Sequence, residues 1–140
     1  MSLKHFSLLL AAAFATVVAA GAASASTAGN PSLLIRHQVH GCHAWSVNGG
    51  PFKASQSIAL KRGSRLTVTN DDVMPHKFIK QSGPALAFAP ANLGHIGATV
   101  KITFTHAGVY RFTTKPGEDY TKGVETSGED NVLRLTVTVT

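Results

Sequence analysis

The chain has 140 residues, and its 13 Lys and Arg against 7 Asp and Glu give a formal net charge of +6. That length suits one domain with one core, and a single cysteine excludes a fold stapled by internal disulfides. The basic residues stand singly apart from Lys61-Arg62 and are not interleaved with aromatics, which argues for a mildly basic surface and against a nucleic-acid-binding stripe.

Residues 1–25 read as a secretory signal peptide. Lys4 and His5 form a short basic start, Phe6 to Ala20 is an apolar run, and Ala23-Ser24-Ala25 supplies an A-x-A cleavage site. Cleavage is expected after Ala25, which removes only Lys4 from the basic total. The alternative, a transmembrane helix, fits less well because the apolar part is short and rich in alanine. No later stretch is long and apolar enough to span a bilayer, so no membrane span is expected after cleavage. The expected location is periplasmic or secreted.

Residues 26–32 (STAGNPS) are small and polar and read as a flexible lead-in to a domain over 33–140. Leu33 to Val47 (LLIRHQVHGCHAWSV) then alternates. Leu33, Ile35, Val39, Trp45 and Val47 share one parity with His37, Gly41 and His43; Arg36, Gln38, His40, Cys42 and Ser46 share the other. Period two predicts a strand with one buried face, ended by the turn signal Asn48-Gly49-Gly50-Pro51. A short strand is expected over Ser57 to Leu60. A half-buried one is expected through Leu66, Val68 and Asn70, closed by Asp71-Asp72. Phe78 and Ile79 begin another apolar segment. Residues 81–98 are rich in Gly, Pro and Ala and read as irregular, with a helical turn near Pro84 to Phe88. Val100, Ile102 and Phe104 alternate, His106-Ala107-Gly108 turns, and Tyr110 and Phe112 alternate on the return. Lys115 to Asn131 reads as a long polar loop, and Leu133, Leu135, Val137 and Val139 as a final strand. About seven short strands without a long helix predict an all-β, Greek-key β-sandwich.

The chemistry concentrates in two stretches. Leu33–Val47 holds His37, His40, His43, Trp45 and the one cysteine, Cys42; Leu66–Lys80 holds Met74 and His76. An exported thiol with no internal partner must be buried, paired between chains or bound to a metal.

Two segments resemble the cupredoxins, the blue-copper family. Gly63 through His76 (GSRLTVTNDDVMPH) is similar to the family segment in which a strand ends in Asn and a ligand histidine follows. Gly108 through Phe112 (GVYRF) is similar to the turn and strand leading into the family's copper loop. The resemblance covers most of residues 33–140 and implies a cupredoxin-like fold, with His76 carried over as a copper ligand. In the family a cysteine follows Tyr-x-Phe-x, and a histidine and a methionine come after it. Here that position is Thr114, and residues 107–140 contain neither His nor Met. Three of the family's four usual ligands are thus absent from their place.

The resemblance also implies a replacement. In the family's sandwich the first strand runs parallel beside the strand leading to the first ligand histidine, so both end at the same edge. The region His40 to His43 would then approach His76. Cys42, His43 and His76 supply a thiolate and two imidazoles, a set suited to copper with zinc as competitor. Met74 is the expected weak axial thioether and His40 a spare imidazole. In a regular strand Cys42 and His43 point to opposite faces, so the strand must bulge or end there, for which Gly41 is suited. His37 is expected on a solvated strand position, His95 and His106 in loops, and Trp45 in the core.

Ser64, Ser82 and Ser127 lack a nucleophile-elbow context, and Glu118, Asp119, Glu129 and Asp130 sit in the polar loop. The expectation is therefore non-enzymatic: an exported copper-binding protein in electron transfer or in copper handling and tolerance. Its partners would be a copper ion and a redox or copper-trafficking protein. The alternative is a metal-free cupredoxin-like module that binds a partner protein through Lys115–Asn131.

Overall fold

Strands form where apolar and polar residues alternate and β-branched residues are dense. The computed structural model describes residues 29–87, 91–116 and 131–140. The leader 1–25, residues 26–28 of the lead-in and residues 117–130 of the polar loop lie outside the described residues. Among the described residues there are nine strands: β1 (Ser32–His37), β2 (His43–Val47), β3 (Ser55–Leu60), β4 (Arg65–Asp71), β5 (His76–Ser82), β6 (Ala91–Leu93), β7 (Thr99–Thr103), β8 (Gly108–Pro116) and β9 (Arg134–Val139). They build two sheets, ordered β2-β1-β4-β7 and β3-β9-β8-β5-β6. The protein is all-β, a sandwich of two sheets, and its described residues contain no helix.

The inner faces are the predicted ones except at Val39, which shares the buried parity but is exposed because it lies in the link between β1 and β2. Leu33 and Ile35 on β1, Ile58 and Leu60 on β3, and Leu66 and Val68 on β4 are buried, as are Phe78 on β5 and Leu135, Val137 and Val139 on β9. An aromatic group joins the sheets. Trp45 meets Phe78 edge-on, Phe78 stacks on Phe112 at 5.0 Å, and Phe104 meets Tyr110 edge-on at 5.0 Å. Tyr110 keeps its hydroxyl satisfied by donating to the His106 carbonyl at 2.7 Å.

Three expectations are corrected. The stretch 33–47 is two strands, not one. β1 and β2 pair antiparallel, with Ile35 opposite Trp45 and His37 opposite His43, and residues 38–42 make the link. Each pair joins two odd-numbered or two even-numbered residues. The apolar parity therefore survives the reversal, and alternation alone could not reveal it. Residues 84–87 run as bend and coil with no helical turn; Gly83-Pro84 opens the segment, and Leu86 packs on the core without one. The stretch 81–98 also carries a short strand, β6, which extends the edge of the second sheet beside β5. These two changes raise the count from about seven strands to nine.

β1 runs parallel beside β4, from Ser32 opposite Thr67 to Arg36 opposite Asp71. Parallel neighbours leave the sheet at the same end. The link 38–42 and the segment 72–75 therefore emerge side by side, and this positions the site.

Candidate metal centre

Asn70 organises the segment after β4. It is fully buried, and its amide nitrogen donates to the carbonyls of Met74 at 2.9 Å and Leu93 at 2.8 Å. Its amide oxygen accepts the Asp72 backbone N–H at 2.8 Å, which satisfies the side chain. Asp72 Oδ1 in turn accepts the Met74 backbone N–H at 3.0 Å. The segment bends at 72–74, and Asp72, Met74 and His76 are all buried while Val73 and Pro75 are only half-buried. Three polar or polarisable side chains thus share the inner side.

The opposing link is a tight reversal. Gly41 has φ 77° and Cys42 φ 62°, left-handed values that suit glycine and strain cysteine. The Gln38 N–H bonds the Cys42 carbonyl at 2.7 Å, and the Asn131 N–H bonds the Gly41 carbonyl at 2.9 Å. The Asn131 side chain donates to the His43 carbonyl at 2.8 Å. A Cβ on Gly41 would clash with that amide, so glycine is required twice over. β1 ends earlier than expected, at His37; Gly41 lies in the link, and Cys42 and His43 are both buried.

The two segments meet in a buried cluster. The Cys42 thiol donates to the Met74 sulfur at 3.1 Å. The rings of His43 and His76 meet edge-on with centroids 5.1 Å apart. His76 Nε2 lies 3.1 Å from Asp72 Oδ2, and His37 Nδ1 lies 3.8 Å from Asp72 Oδ1. Each of His43, Asp72 and His76 offers a ligand atom, and these atoms lie within 4.8 Å of one another. Burial pushes the Asp72 carboxyl up, but the bond to His76, the Met74 N–H and the charges of His76 and His37 together hold it below its ordinary range.

Of the residues picked from sequence, Cys42 meets Met74 and His43 meets His76; the group whose ligand atoms converge is His43, Asp72 and His76, and Cys42 is not part of it. His40 lies on the same link but is exposed. His37, expected in solvent, is partly buried against Asp72. His95 and His106 are exposed and bond to Ile96 and Thr105 beside them. Thr114 sits on β8 opposite Phe78, with its hydroxyl buried and no hydrogen-bond partner among the described residues. Asp72 was read only as the end of a strand. No local pattern marks it, because residues 72–74 bend between β4 and β5 and its partners come from the folded chain.

The donors that converge, two imidazoles and the Asp72 carboxylate, suit a borderline divalent ion such as copper or zinc, and Cys42 and Met74 add a buried pair of sulfurs on the same two segments. His76 Nδ1 is buried and has no hydrogen-bond partner among the described residues. A group left so costs about 1–3 kcal/mol, a cost that a bound ion would remove.

No protein-family model and no curated protein matches the chain. Among solved structures it is similar to a purple cupredoxin from Nitrosopumilus maritimus, at 18% identity and a TM-score of 0.46, over 78% of this chain and 98% of that one. It is similar to rusticyanin variants at 12% identity and a TM-score of 0.45, over 86% and 84% of the two chains. The copper-containing nitrite reductase of Thermus scotoductus is similar at 18% identity and a TM-score of 0.42, over 88% of this chain but 25% of the reductase.

Proposed function

We propose that this chain is an exported, non-enzymatic copper-binding protein of cupredoxin-like fold, with Cys42, His43, His76 and Met74 as its ligands. One observation carries the reading: the His43 and His76 imidazoles converge in a buried group with Asp72, and Cys42, the residue before His43, is buried against Met74 at 3.1 Å. Copper, when bound, would supply one-electron chemistry. Cys42 would supply the thiolate, His43 and His76 neutral imidazoles, and Met74 a weak thioether. The exposed His40 is a spare imidazole near the link, outside this set.

The burial of these four side chains favours electron transfer over copper storage or delivery. A closed shell excludes water and limits rearrangement when the charge of the ion changes. Exchange of electrons with a partner protein outside the cytoplasm is the corresponding role. Zinc is the competing ion, since it accepts the same thiolate and imidazoles.

Cu(II) titration of the mature protein, read by visible absorption, tests this. The parent should take up one equivalent with intense thiolate-to-copper absorption. Cys42→Ser should abolish that band. His76→Ala should shift or abolish it and weaken binding at least about tenfold, roughly 1.4 kcal/mol. His106→Ala and Thr114→Ala should match the parent, the first because His106 is exposed, the second because a hydroxyl is a poor copper ligand. Equal binding and spectra for Cys42→Ser and the parent would remove the proposed site. No stoichiometric uptake by the parent would leave the metal-free binding module.

A further inference from the structure

We infer that the buried end has a second metal-binding mode, free of sulfur, in which Asp72 and the imidazoles of His43 and His76, joined by His37, hold a divalent cation of the zinc class. This goes beyond the copper reading and does not rest on it, because it needs neither Cys42 nor a redox-active ion.

The argument starts from where the donor atoms lie. His43, Asp72 and His76 each offer one ligand atom, and the three atoms lie within 4.8 Å of one another. Ligands about 2.0–2.1 Å from a tetrahedral zinc stand about 3.4 Å apart, so closing on an ion asks for a contraction of at most about 1.4 Å. Asp72 Oδ2 and His76 Nε2 are already 3.1 Å apart. The thiol is turned elsewhere: Cys42 donates to Met74 at 3.1 Å and is no part of the converging group.

His37 is the residue that the copper set does not use. It stands opposite His43 in the β1–β2 register, and cross-strand partners share one face of the sheet. Its Nδ1 lies 3.8 Å from Asp72 Oδ1. Both of its ring nitrogens are buried without a hydrogen bond among the described residues, an arrangement that costs free energy unless something accepts them. A cation shared with Asp72 would. The ring also keeps 19% of its surface exposed, which gives an ion a path from solvent to the three fully covered donors.

Separate elements hold these side chains in advance. His37 closes β1, His43 opens β2 and His76 opens β5. Asp72 sits in the bend after β4, with its backbone N–H on Asn70 Oδ1 at 2.8 Å and its Oδ1 on the Met74 N–H at 3.0 Å. Donors fixed before the ion arrives lose little freedom on binding it. Three imidazoles and one carboxylate make a nitrogen and oxygen set that zinc accepts. Because His43 and His76 belong to both sets, the two modes exclude each other, and zinc should suppress the thiolate-to-copper band.

Cobalt(II), a coloured substitute for zinc, tests this on the mature protein. The parent should bind one equivalent and show visible d–d absorption without thiolate-to-cobalt charge transfer. Cys42→Ser should give the same spectrum and affinity, although it loses the copper band. His37→Ala and Asp72→Asn should each weaken cobalt and zinc binding at least about tenfold, no less than the loss of an outer-shell partner costs. His37 is partly exposed, so its substitution spares the core, and His37→Ala should keep the copper band. Thiolate-to-cobalt charge transfer in the parent would overturn the inference. So would parent-like cobalt affinity in either His37→Ala or Asp72→Asn, or no cobalt uptake by the parent. Sulfur-free cobalt binding in a parent that shows no thiolate-to-copper band would support the inference and remove the copper reading.

Discussion

Asp72 is the residue on which the buried end of the sandwich depends. It receives a backbone N–H, faces two histidines and has no exposed surface. Its folded-state carboxyl lies below the ordinary 3.8, so in that window the unfolded chain binds the extra proton. The sign follows. The carboxylate's contribution is fully present above 3.8, and it is lost as pH falls through the depressed folded value. In metal-free protein, the stability gap between parent and Asp72→Asn should be widest above about pH 5 and should narrow toward about pH 3. Urea denaturation across that range measures it, and a gap that widens on acidification would contradict the argument. The exposed pair Arg36–Asp71 next door, at 2.8 Å, should matter less, because solvent screens it.

At the scale of elements, the β1–β2 hairpin decides whether Cys42 and His43 can serve one site. A continuous strand would send them to opposite faces. The reversal at Gly41 and Cys42, pinned by Asn131, buries both. Gly41→Ala should cost about 1–3 kcal/mol, since it forces a side chain into the left-handed region and against the Asn131 amide. It should also speed reaction of the Cys42 thiol, which is fully buried, with a thiol reagent. Unchanged stability and unchanged thiol reactivity would show that the link tolerates another backbone path.

For the molecule as a whole, the parallel pairing of β1 with β4 brings the two chemistry-bearing stretches to one end of a two-sheet sandwich. The aromatic group of Trp45, Phe78 and Phe112 lies in the core behind them. The proposed copper role rests on export to a compartment where the protein would meet the ion. The Ala23-Ser24-Ala25 site motivates a mature chain beginning near Ser26. Sequencing the N-terminus of exported protein should find it there, and material still starting at Met1 would overturn export by cleavage.

The strands were legible from sequence because alternation is local. Leu66-x-Val68-x-Asn70 and Leu135-x-Val137-x-Val139 declare their buried faces without reference to the rest of the chain. His43 and His76 could be picked out by residue chemistry and by resemblance, and a break in the strand was expected at Gly41, whereas β1 ends already at His37. The hairpin itself was not legible, because antiparallel pairing of odd residues with odd residues leaves the alternation unchanged across the turn. Nor was Asp72, whose meaning lies in partners supplied by the folded chain. The Cys42–Met74 contact joins residues 32 apart in sequence, and His43 meets His76 only because two parallel strands end together. Contacts of that kind depend on sheet register, which no local pattern encodes, and so the tertiary structure alone decided them.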